Sequence, residues 1–146
     1  MDYLFLGNYD DANNYGLLQE LGITHLLNCA AQTSGRQNCA FTRFGGYTGI
    51  LEHVGFTADD RENYDILQHV PFSISFINRA RVRQRKVLLY CAKGINRSVA
   101  MCVAYLIQEC GMCFDESLET VQIVRPNILT NPGFVRQLQE YASQKE

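Results

Sequence analysis

One of the six cysteines in this 146-residue chain sits where it could act as a nucleophile toward phosphorus. The run Val87-Leu88-Leu89-Tyr90-Cys91-Ala92-Lys93-Gly94-Ile95-Asn96-Arg97-Ser98 is a short apolar stretch ending at a cysteine, then a glycine-containing loop, then an Arg-Ser pair. The apolar stretch reads as a buried strand, and 98–108 reads as a largely buried helix. The loop Ala92, Lys93, Gly94, Ile95, Asn96, Arg97 therefore hangs from a strand end and leads into a helix N-terminus. Unpaired N–H groups and the positive end of the helix dipole favour an anion there. Oriented N–H groups and Arg97 stabilise a thiolate at Cys91; such settings bring a cysteine pKa from about 8.5 down to about 3.5–7.5. Gly94 permits a tight turn that points N–H groups at phosphate oxygens. Arg97 offers a planar, permanently charged fork for two phosphoryl oxygens. Ser98 can donate its hydroxyl to the sulfur as the sulfur leaves. The chemistry implied is thiolate attack on phosphorus, a phosphocysteine intermediate, and hydrolysis by water.

The bland alternative is a buried structural cysteine, the usual fate of the residue. The joint placement of Gly94, Arg97 and Ser98 weighs against it, and none of the other five cysteines has an arginine six places on. Such chemistry also needs a general acid, without which the leaving oxygen departs as an unprotonated anion. Candidates lie in the loop Gly55-Phe56-Thr57-Ala58-Asp59-Asp60-Arg61-Glu62-Asn63-Tyr64-Asp65-Ile66. On the residues alone, two solvated loop carboxylates are as good a reading.

Cys91-x5-Arg97-Ser98 resembles the signature of the cysteine-based protein phosphatases, and of the small dual-specificity phosphatases in particular. The resemblance runs along almost the whole chain. Leu4-Phe5-Leu6-Gly7-Asn8, Ala12, and Leu18-x2-Leu21-Gly22-Ile23-Thr24-His25-Leu26-Leu27-Asn28 resemble the family's opening strand, helix and second strand. Phe76-Ile77 fits the helix before the catalytic strand. Arg125-Pro126-Asn127-Ile128 and Asn131-x-Gly133-Phe134-x2-Gln137-Leu138 fit its closing segment. The family places an aspartate six residues before an apolar helix residue. Counting back from Ile66 selects Asp60, with Asp59 as the fallback. The resemblance also makes Arg125 and Asn131 candidates to brace the loop and the acid segment, although capping of the last helix and surface pairing would explain them equally well. One residue departs from the pattern: Tyr90 stands where the family normally carries histidine. Tyrosine brings no positive charge, so the expectation is a weaker acid at Cys91, with a rate optimum shifted up in pH or a lower rate. His25, His53 and His69 are all distant in sequence.

Strands are expected near 3–6, 24–28, 50–54 and 87–90, with a less secure one near 40–44. Helices are expected at 11–21, 64–84, 98–110, 115–124 and 131–143, with a break or bend near 68–70 imposed by Pro71. The alternation implies an α/β fold: a central, mainly parallel, twisted sheet of about five strands with helices on both faces. Cys91 would then lie beyond the carboxyl end of a strand, where such folds bind ligands. With 47% hydrophobic residues, 1–146 reads as a single catalytic domain. A net charge of −2 provides no basic field for nucleic acid or membrane. No leader sequence or bilayer-length apolar stretch is visible. Six cysteines without tight pairing suggest reduced thiols, hence a cytoplasmic protein with nuclear entry open. Cys110-x2-Cys113 is a single pair and not a zinc site; no metal or cofactor is expected.

Arg79, Arg81, Arg83, Arg85 and Lys86 form a basic cluster, either a solvated helix end or a docking patch for an acidic partner. Lys93 would suit a more anionic substrate, such as a phosphoinositide or an RNA 5′ triphosphate. The function expected is metal-independent hydrolysis of phosphotyrosine and phosphoserine or phosphothreonine in a phosphorylated protein. Cys91 would be the nucleophile, Arg97 the phosphate holder, Asp60 the acid, and Ser98 the aid to sulfur departure. Two other readings stay open: a phosphate-binding module without turnover, and a phosphatase of lipid, RNA ends or carbohydrate.

Overall fold

The computed structural model describes residues 1–31 and 49–145. Its four described strands are β1 (Leu4–Asn8), β2 (His25–Asn28), β3 (Glu52–Gly55) and β4 (Val87–Cys91). They lie in the order β1-β4-β2-β3, and all three pairings are parallel. Every residue of β4 is buried. A continuous apolar run, without polar alternation, suits a central parallel strand covered on both faces. The fifth strand expected near 40–44 lies outside the described residues, so the described sheet has four strands rather than about five.

Parallel strands need crossovers, and the helices that make them cover both faces. On one face, α1 (Tyr9–Ala12) and α2 (Tyr15–Leu21) pack with Leu26, Leu88 and Tyr90. On the other lie α3 (Val70–Val82), α4 (Arg97–Cys110), α5 (Phe114–Val124) and α6 (Pro132–Gln144), over Leu27, Leu89 and Cys91. Strand alternation thus sends Tyr90 and Cys91 to opposite faces. Helix α4 is buried at every residue from Arg97 to Ile107, as a helix apolar all round must be. Each of its buried Val, Met, Leu and Ile side chains contributes about 1.5–3 kcal/mol, so this helix is a rigid support for whatever its N-terminus carries.

Two helices differ from the sequence expectation. The segment 11–21 is two helices, because Asn14 caps α2 by accepting from the Leu17 N–H at 3.1 Å. The segment 64–84 opens with a 3-10 turn, Ile66–His69, and α3 starts at Val70 with Pro71 in its first turn. Proline lacks an N–H that this position does not use, so it begins a helix there instead of bending one.

Candidate active site

Cys91 ends β4 and Arg97 begins α4, so loop 92–96 joins the central strand to the buried helix. Cys91 is 2% exposed, and its Sγ lies 3.2 Å from Ser98 Oγ. Burial pushes the thiol up. The Ser98 hydroxyl, the Ser98 and Gly94 N–H groups and the Arg97 charge outweigh it, leaving Cys91 below the ordinary thiol value. Burial instead sends Cys29 well above that value and Cys102 up to about 12.

The loop is built to close tolerances. Gly94 has φ 68°, and a Cβ there would stand 2.7 Å from both the Gly7 carbonyl oxygen and an Arg125 guanidinium nitrogen. Only glycine meets both demands. Arg125 Nε donates to the Gly94 carbonyl at 3.1 Å, and the Leu129 N–H donates to Ile95 O at 2.8 Å. Arg125 thus contacts the loop backbone directly. Lys93 is exposed, while Ala92 and Ile95 are half-buried.

Arg97, only 9% exposed, donates from Nη1 to the Ala58 carbonyl at 3.0 Å. That bond ties the phosphate loop to the segment carrying both acid candidates, and the two are well separated. Asp60 Oδ1 accepts from Asn131 Nδ2 at 2.8 Å, and its Oδ2 accepts from Asn96 Nδ2 at 3.0 Å. Asp59 turns outward to Arg61, 2.8 Å away on the surface. Asn131 has two sets of partners. Its Oδ1 caps α6, accepting from the Gly133 and Phe134 N–H groups at 3.0 and 3.2 Å, while its amide nitrogen serves Asp60. The Asn131 N–H also donates to Asn96 Oδ1 at 3.0 Å, closing a network of Asn96, Asp60 and Asn131.

Other residues hold the acid loop without having been singled out in the sequence. Tyr64 Oη donates to Thr57 O at 3.0 Å and lies 2.7 Å from His69 Nε2. The His69 ring stacks on Phe56 with centroids 3.9 Å apart. Gln137 donates to Tyr64 O at 2.8 Å and accepts from the Ile66 N–H at 3.0 Å. A Cβ on Gly133 would come within 1.8 Å of Glu62 O, so α6 meets the loop backbone directly. Gln137 and Gly133 were visible as family matches but carried no role, because their partners lie 70 or so residues earlier. On the opposite face of the sheet, Tyr90 Oη lies 2.7 Å from His53 Nε2. Pairing of strands brings together two residues that are distant in sequence. No group of three or more metal-ligating side chains occurs among the described residues. No described helix is long and apolar enough to cross a membrane.

A strand-end cysteine, a glycine-turned loop and a buried arginine opening a helix form an arrangement suited to an oxyanion. The profile of the dual specificity phosphatase catalytic domain matches residues 4–144. The chain belongs to the dual-specificity phosphatases. This dual-specificity phosphatase domain is 38% identical over 138 residues to the MAP kinase phosphatase with leucine-rich repeats protein 3 of Dictyostelium discoideum, covering 94% of this chain and 15% of that protein. It is 32% identical over 144 residues to dual specificity protein phosphatase 19 of Mus musculus, covering 99% and 61% respectively. The chain thus spans less than two thirds of the length of these relatives. Its fold is similar to the crystal structure of DUSP15, with a TM-score of 0.85 at 26% identity, covering 100% of this chain and 87% of that one.

Proposed function

We infer that this domain hydrolyses phosphate monoesters on proteins, at tyrosine and at serine or threonine, through a phosphocysteine intermediate. The Cys91 thiolate attacks phosphorus while Arg97 and the loop N–H groups hold the non-bridging oxygens. The bond to the substrate oxygen breaks, and Asp60 gives that oxygen its proton. Water then attacks phosphorus, Asp60 takes the water's proton, and the sulfur leaves as thiolate with the Ser98 hydroxyl donating to it. One observation carries this reading. The Asp60 carboxylate is bound by Asn96 of the phosphate loop, the same loop that holds the Cys91 thiol below its ordinary value. The relatives named as protein phosphatases support a phosphoprotein substrate.

The test is phosphate release from p-nitrophenyl phosphate between pH 5 and 8 without added metal, for the parent, Cys91→Ser and Asp60→Asn. Release should vanish in Cys91→Ser. Asp60→Asn should lose activity, most on esters of alcohols, since general acid–base catalysis contributes about 10²–10⁴-fold. A parent that binds tungstate but releases no phosphate would leave a phosphate-binding domain and contradict the proposal.

A further inference from the structure

We propose that the end of the molecule opposite the phosphate loop is a docking site for an acidic protein segment. Arg79, Arg81, Arg83, Arg85 and Lys86 set five positive charges close together in a chain whose net charge is −2. Arg79 and Arg81 fall in the last turn of α3, where they complement the negative end of the helix dipole. Arg83 is the C-cap residue, while Arg85 and Lys86 lie past the helix end, where the dipole does not account for their charge. Of these five, all among the described residues, only Arg79 has a carboxylate within ion-pair distance, Glu52 at 3.6 Å. Like charges gathered this way repel one another, and a partner of opposite sign relieves that repulsion.

The charges are arranged around two hollows. One, of about 260 Å³, is lined by Asp2, Tyr3, Arg81, Gln84, Arg85 and Lys86. The other, of about 470 Å³, lies among Ser75, Asn78, Arg79, Val82 and Arg83. The Arg81 guanidinium stands 5.3 Å over the Tyr3 ring, which holds it at the first hollow. Gln84 turns the chain with φ 58°, in the left-handed region that a residue with a Cβ seldom adopts, and Arg83 and Arg85 on either side of it line different hollows. An extended segment with spaced carboxylates can set its side chains into both.

The charges are divided between two shallow recesses, which suits an extended chain better than a plane of headgroups. Val82, 83% exposed at the end of α3, and Leu51, 56% exposed before β3, are large apolar residues exposed at this end; they stand on separate elements and form no continuous apolar face for insertion between lipids. The Arg81 guanidinium lies over one face of the Tyr3 ring and closes that face to a stacking base. Lys86 precedes β4 and Cys91 ends it, so docking site and nucleophile sit at opposite ends of one strand, roughly 15 Å apart. A segment bound there leaves the phosphate loop open and raises the local concentration of whatever is attached to it.

The test measures binding of a short fluorescent peptide of alternating glutamate and serine, with inorganic phosphate in excess to occupy the phosphate loop. Parallel arms use vesicles of phosphatidylcholine with phosphatidylserine, and a single-stranded RNA of similar length. The peptide should bind the parent, lose affinity as salt rises, and bind Arg83→Glu/Arg85→Glu about tenfold or more weakly. That variant should keep its turnover of p-nitrophenyl phosphate, or its tungstate binding should the parent prove inactive. Absence of peptide binding, loss of binding in excess phosphate that chloride of equal ionic strength does not cause, equal binding by the variant, or tighter binding of vesicles or RNA than of peptide would each overturn the proposal.

Discussion

Cys91 ends β4 and Cys29 directly follows the neighbouring β2; both are buried, yet their thiols shift in opposite directions. The difference lies in what reaches the sulfur: a hydroxyl, two N–H groups and a guanidinium at Cys91 overcome the burial that dominates at Cys29. Ser98→Ala removes one of these donors. The Cys91 thiolate should then form at higher pH, moving the pH dependence of its alkylation by iodoacetamide upward, and phosphocysteine should break down more slowly. Tyr90→Phe should leave that alkylation profile in place, since the Tyr90 ring points to the other face of the sheet. It should cost about 1 kcal/mol in urea unfolding, for the hydrogen bond to His53. Cys91, Arg97 and Ser98 were legible in the sequence because their chemistry is written within one loop. The choice between Asp60 and Asp59 was not legible from local pattern, since it rests on amides 36 and 71 residues away.

At the scale of elements, the site is a meeting of three segments: the strand–loop–helix of β4 and α4, the loop after β3, and the start of α6. Gly133 marks the closest approach. Gly133→Ala puts a methyl against Glu62 O and should displace the acid loop. Turnover of a phosphoserine peptide should fall about tenfold or more, while p-nitrophenyl phosphate, whose leaving group needs little protonation, loses far less. Equal losses on both would point to a general defect and not to the acid. Tyr64→Phe, which removes the bond to Thr57 O, should act in the same direction more weakly. Elements were legible where hydrophobic pattern alone decided them, as in β4 and α4. One boundary was missed because a single side chain decided it: Asn14 splits an expected helix by capping the second. The break expected near 68–70 is there, as a 3-10 turn that gives way to α3 at Val70, with Pro71 starting the helix.

Across the whole molecule, burial lowers the pKa of all three histidines, His53 to about 4. Each therefore takes up a proton more readily when unfolded, His53 most clearly. Stability from this source is complete above the unfolded value of about 6.5 and is lost as pH falls toward 4. The urea midpoint should drop across that window, and His53→Gln should flatten the drop; a midpoint independent of pH there would contradict it. The fold class was legible because alternating strands and helices leave few arrangements other than a parallel sheet covered on both faces. The pairing of His53 with Tyr90 was not, because it depends on which strands become neighbours.

The central claim is that Cys91 becomes phosphorylated during turnover. The direct measurement is acid quenching during steady-state hydrolysis, followed by peptide mass analysis. One phosphoryl group on the peptide containing Cys91, absent in Cys91→Ser, is the predicted result. Turnover with no such adduct, or with the phosphoryl group on another residue, would contradict it.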